Sequence, residues 1–192
     1  MSLKILYAML LVAIALSVSG CAGPSPPPAT PILTPTPIGT ATPRPGSVPA
    51  VDFNELIKFL PHAPSGYEAR EPQGGKITTQ EGSYSYASRD YVSRDYTKPS
   101  EASVFIMDSA YYTVGYFTAW KSFIAYETTE GYVKAENVAG YPAWKVYEKK
   151  DNEYSLYVAL SDRFLVFIHA YDETVLNELK NSIDYKGIGA LH

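Results

Sequence analysis

Tyr154-Ser155-Leu156-Tyr157-Val158-Ala159-Leu160, then Ser161-Asp162-Arg163, then Phe164-Leu165-Val166-Phe167-Ile168 is the stretch that decides the fold. In the first run Leu156, Val158 and Leu160 alternate, the period-two mark of a strand with one face covered. The second run is apolar throughout, as expected of a strand buried on both faces at the centre of a sheet. Only three polar residues separate them. A parallel connection needs a crossover of about a dozen residues, so the two strands are antiparallel neighbours. Upstream the pattern repeats. Strands are expected at 132–138 and 141–149, turned by Gly140, and Lys150-Asp151-Asn152-Glu153 leads into 154–160. With 164–170 these make a four-strand meander.

Helices are expected on both sides of the meander in sequence. After it, Asp172 is a good N-cap, and Val175, Leu176, Leu179 and Ile183 repeat at helical spacing. Before it, Tyr116, Trp120, Phe123 and Ile124, widened by Phe117, predict a helix over about 113–126 with one aromatic stripe facing the core. Ala102 to Asp108 is a mostly apolar run of strand length, expected near the sheet centre. Gly66 to Tyr96 is rich in Thr, Ser and Tyr and punctuated by glycines, so it reads as β structure. The first helix is marked by Asp52 as N-cap, Glu55 at capping-box spacing, and Val51 and Leu56 at the positions of a hydrophobic staple. Phe53, Leu56, Ile57 and Leu60 form its stripe, and Pro61 and Pro64 stop it. The fold class is therefore α+β, an antiparallel sheet with about three helices packed on it.

Gly140-Tyr141-Pro142-Ala143-Trp144 through Ile183-Asp184-Tyr185 resembles the C-terminal half of PsbP/Mog1-like domains. There a glycine-led strand opens an aromatic-rich meander that a terminal helix closes. The resemblance implies an α/β/α sandwich, a fold used mostly for binding or assembly modules that carry no catalytic machinery. It assigns no site residues here.

Ahead of residue 51 the composition changes. Residues 22–50 hold ten prolines and five threonines but one charge, Arg44. Such a stretch cannot bury enough apolar surface to offset its ordering entropy. It reads as a polyproline-like spacer reaching at most about 90 Å at 3.1 Å per residue. Before it, Lys4 precedes an apolar run from Ile5 to Val18, too short for the roughly 20 residues of a spanning helix. A basic start, a short apolar run and small residues at its end make a secretory signal peptide. Val18-Ser19-Gly20-Cys21 resembles the lipobox of prokaryotic lipoproteins, and Cys21 is the only cysteine. The resemblance implies cleavage before Cys21 and a diacylglyceryl group on its sulfur. That supplies the two chains stable anchoring requires. The expected organisation is thus a signal peptide over 1–20, a lipidated Cys21 with its Pro/Thr-rich tether over 21–50, and one α+β domain over 51–192. The protein is expected on the extracytoplasmic face of a membrane.

Within 51–192, twenty acids face fourteen Lys and Arg, with no basic stripe, which argues against a nucleic-acid partner. The absence of a second cysteine excludes disulfides, zinc knuckles and a thiol nucleophile. No Gly-x-Ser-x-Gly elbow, phosphate loop, His-Glu-x-x-His helix or dinucleotide fingerprint occurs, and no cofactor or metal is implied. Asp151-Asn152-Glu153 lacks the spread of oxygen ligands of a calcium loop and reads as turn chemistry. His62 falls in a loop, His169 near a strand end and His192 at the terminus.

One repeat stands out: Ser88-Arg89-Asp90-Tyr91 and Ser93-Arg94-Asp95-Tyr96. The odd spacing places Tyr91 and Tyr96 on opposite sides of a regular strand unless a bulge or turn intervenes. Arg89, Tyr91, Arg94 and Tyr96 form a candidate binding surface for a sugar or peptide; the alternative is cross-strand and ion pairing. All the tyrosines but Tyr7 lie in the domain, suited to the outer face of a sheet or to amphipathic binding contacts. The expected function is a non-catalytic binding or assembly module whose partner is an envelope protein or glycan. The alternatives are a lipoprotein hydrolase with an acidic or His169-centred site, and a structural envelope protein.

Overall fold

The computed structural model describes residues 48–78, 82–95, 101–110 and 124–192. The leader, Val18, Ser19, Gly20, Cys21, the tether up to residue 47, Tyr96 and the expected helix over 113–123 lie outside the described residues. The described strands are β1 (Tyr67–Ala69), β2 (Gln73–Thr78), β3 (Ser83–Ser93), β4 (Glu101–Asp108), β5 (Tyr126–Thr128), β6 (Gly131–Val138), β7 (Tyr141–Glu148), β8 (Glu153–Leu160) and β9 (Phe164–Ala170). They form one antiparallel sheet in the order β1-β3-β4-β9-β8-β7-β6-β5, with β2 also paired to β3. The meander is as the alternation requires. The apolar run after Arg163 is indeed central, and all seven residues of β9 are buried.

Three helices are described: α1 (Phe53–Ile57), α2 (Glu173–Ser182) and α3 (Tyr185–Gly189). They pack on one face, α1 over β2 and β3, α2 over β9, β8 and β4, and α3 over β8. The register row Ala87–Ile106–Val166–Val158–Ala143 lies beneath them. Leu56, Leu176, Leu179 and Ile188 join it in one buried core. The opposite face carries the row Phe105–Phe167–Tyr157–Trp144, and there Met107, Leu165 and Phe167 are buried as well.

Three local features depart from the sequence-based expectation. The helix expected up to residue 126 does not reach that far: Tyr126 opens β5, and Ile124, expected on a buried stripe, is 76% exposed. Tyr126 and Thr128 are good strand formers, and Thr128 Oγ1 closes the hairpin by accepting from Glu130 N and donating to Gly131 O. The short α3 was not foreseen. It rests on Asp184, whose Oδ1 accepts from Gly187 N at 2.9 Å. At α1, Asp52 caps as expected through Asn54 N, but Glu55 turns outward to Lys58.

Asp172 Oδ1 accepts from Thr174 N at 2.7 Å and satisfies one of the donors that the first turn of α2 leaves free. Asp172→Ala is expected to cost about 1 kcal/mol, read as a small drop in the urea midpoint at unchanged slope.

Candidate functional site

Alternation along β9 turns His169 to the same face as Phe167. In register, His169 lies between Ser103 of β4 and Ser155 of β8. Glu153 shares that face, two residues before Ser155. Its Oε1 is 3.0 Å from His169 Nε2, and Tyr171 meets the imidazole edge-on at 5.0 Å between centroids. The histidine side chain is 8% exposed. Burial pulls its pKa below the ordinary 6.5, while the charges of Glu153 and Glu101 and the hydrogen bond to Glu153 pull it back. At neutral pH the imidazole is therefore uncharged and donates from Nε2 to the carboxylate.

A histidine held below its unfolded pKa binds its proton less readily when folded. Stability from this site is full above pH 6.5 and falls as the pH drops from 6.5 toward the lower folded pKa. Urea unfolding of the wild type and of His169→Gln across pH 5 to 8 should isolate the term. The wild type should lose stability relative to the variant as the solution is acidified below about 6.5. A constant difference would contradict it.

Of Asp151-Asn152-Glu153 only Glu153 belongs to this site, and the other histidines add nothing to it. Asn152 adopts φ 50° in the turn and donates from Nδ2 to Tyr171 O, while Glu153 is committed to His169. His62 and His192 are exposed. Among the described residues no group of three or more His, Cys, Asp or Glu is placed to hold a metal ion.

The repeat is divided by its surroundings. Tyr91 is fully buried and donates from its hydroxyl to Pro61 O at 2.8 Å; Arg89 donates from Nη1 to the same carbonyl at 3.1 Å. Burial drives the Tyr91 phenol well above its ordinary pKa, which keeps it a neutral donor. Both side chains fasten the chain after α1 onto β3. Arg94 is exposed, just beyond the end of that strand. A ligand could therefore reach Arg94, whereas Tyr91 is spent on the core.

Tyrosines elsewhere stack on one another. Tyr132, Tyr147 and Tyr154 align across β6, β7 and β8, with centroids 5.5 Å and 4.5 Å apart, and Lys134 Nζ lies 4.2 Å above the Tyr132 ring. These ring faces are occupied by neighbours, so the ladder serves strand pairing. Beside it Lys145, nearly buried, bonds Glu173 at the start of α2. Burial lowers the lysine pKa, but the hydrogen bond to Glu173 and nearby Tyr132, Glu173 and Glu136 raise it further, so the ammonium stays charged.

A buried charge pair had no signal in the sequence beyond an aspartate ending an apolar strand and an arginine in a turn. Ser161 and Asp162 both take left-handed backbone (φ 54°), and Arg163 N donates to Leu160 O, so the tight turn delivers Arg163 to the end of β4. There Arg163 Nε and Nη2 each lie 2.9 Å from the two carboxylate oxygens of Asp108, a bidentate pair with side chains 3% and 0% exposed. No family model, curated protein or solved structure matches the chain.

Proposed function

We propose that this chain is an extracytoplasmic lipoprotein, anchored to a membrane through Cys21, whose domain is a non-catalytic binding or assembly module. One observation carries the domain's part of that reading. The four buried Asp, Lys, Arg and His side chains among the described residues, Asp108, Lys145, Arg163 and His169, are each paired inside the domain. Asp108, Arg163 and Lys145 spend their charges on partners within the fold rather than presenting them to a substrate. Here they hold strands and a helix in place, which leaves recognition to the surface. The acidic charge of the domain favours an envelope protein or glycan over nucleic acid as partner. For the fold we favour an α/β/α sandwich of the PsbP/Mog1 type. Its support is that β9 is buried on both faces although the three described helices share one.

Two measurements test the proposal. The intact mass of the membrane-extracted protein should correspond to a chain starting at Cys21 plus a diacylglyceryl group; a chain starting at Met1, or an unmodified Cys21, removes the anchor. Crosslinking of the full chain in native membranes should then capture a saturable envelope protein or glycan. High abundance with no saturable neighbour would favour a structural envelope protein instead.

A second reading has its own observation, the His169–Glu153 contact at 3.0 Å with Ser103 and Ser155 flanking the histidine in register. It makes the domain a hydrolase with a His169-centred site. Turnover of ester or amide probes that Ser155→Ala and His169→Gln both abolish would establish it, and turnover indifferent to both would dismiss it.

A further inference from the structure

The described chain begins with an extended segment before α1, and its backbone is gripped by the buried ion pair. Val51 N donates to Asp108 Oδ2 at 2.8 Å, and Pro49 O accepts from Arg163 Nη2 at 3.3 Å. Between them Ala50 is 5% exposed, and its carbonyl accepts from Lys76 Nζ at 3.5 Å. Asp108 Oδ1 accepts from Ala110 N at 2.7 Å as well as from Arg163. Both carboxylate oxygens therefore take two donors, and one of those four is supplied by the strap.

We infer that residues 48–51 form a strap latched by the Asp108–Arg163 pair, which opens on its own while the sheet beneath stays folded. The pair belongs to β4 and to the turn entering β9, two adjacent interior strands, whereas the strap contributes one amide, two carbonyls, the buried Ala50 and a half-buried Val51 packed against the core. Its attachments are few, three backbone hydrogen bonds and two small apolar side chains, the profile of a locally opening element. Latched, the strap ties the approach to α1 onto β4 and β9; opened, it leaves α1 held only by its own packing on β2 and β3. The inference does not depend on lipidation of Cys21.

Hydrogen exchange of the full chain, read by mass spectrometry at increasing sub-denaturing urea, tests it. The peptide containing Val51 should exchange faster than the peptide spanning β9 and show little urea dependence, because local opening exposes little surface. In Asp108→Leu/Arg163→Met, where an apolar pair replaces the charges, protection of the strap peptide should fall by about tenfold to a hundredfold, as expected for lost hydrogen bonds to charged groups. Protection of β9 should hold. Strap and β9 exchanging with the same urea slope in the wild type overturns the inference, as does unchanged strap protection in a folded double variant. Should the double variant not fold, the wild-type comparison decides by itself.

Discussion

Arg163→Met is expected to destabilise the domain by about 3–5 kcal/mol, because it removes one partner and leaves the Asp108 carboxylate buried and uncompensated. Asp108 sits at 0% exposure, and Arg163 supplies two of its four donors. The remaining donors, the amides of Val51 and Ala110, are neutral and cannot replace a guanidinium. The loss extends beyond charge. The guanidinium also lies 4.9 Å from the centroid of the buried Phe164 ring and holds Pro49 O. A thermal midpoint lower by on the order of 10 °C should follow for a domain of this size. The double variant with Asp108→Leu is the control. A buried pair replaced by apolar groups of similar volume is often neutral or stabilising, so it should recover most of the midpoint. A single variant no less stable than the wild type would mean that water reaches the aspartate.

What the sequence could and could not reveal divides along range. The meander was legible because its signals are local: two-residue alternation in β8, an uninterrupted apolar run in β9, and polar turns too short for a crossover. The caps at Asp52 and Asp172 were legible for the same reason, each acting on an amide two residues away. The pairings that define the candidate sites are long-range. Asp108 and Arg163 are 55 positions apart and Lys145 and Glu173 are 28. Nothing in either neighbourhood announces the other. In the sequence Glu153 carries only turn chemistry, because its facing toward His169 depends on the β8–β9 register. Where local pattern misleads, at Tyr126, an aromatic residue suits either a helix or a short edge strand, and pairing with Val133 of β6 decides for the strand.

Tyr91→Ala should produce the second large loss, about 3–5 kcal/mol. Tyr91 is the largest of the fully buried side chains among the described residues, so its removal leaves a cavity that the surrounding sheet and helix cannot close. Tyr91→Phe keeps the ring and deletes only the hydroxyl. Pro61 O would still accept from Arg89 Nη1, so the cost should be about 1 kcal/mol. The contrast decides what the Arg-Asp-Tyr repeat is for. If Tyr91 were a ligand contact, both variants would lose binding at near-normal stability. Because it is a core residue, Tyr91→Ala should lower the urea midpoint steeply and Tyr91→Phe only slightly. Arg94, exposed at the end of β3, is the member whose loss should spare stability, since surface substitutions of this kind usually shift it by less than about 0.5 kcal/mol. Arg94→Ala therefore separates the two roles. Weaker capture of an envelope partner at an unchanged midpoint would assign recognition to this end of β3, and unaltered capture would remove Arg94 from the binding surface.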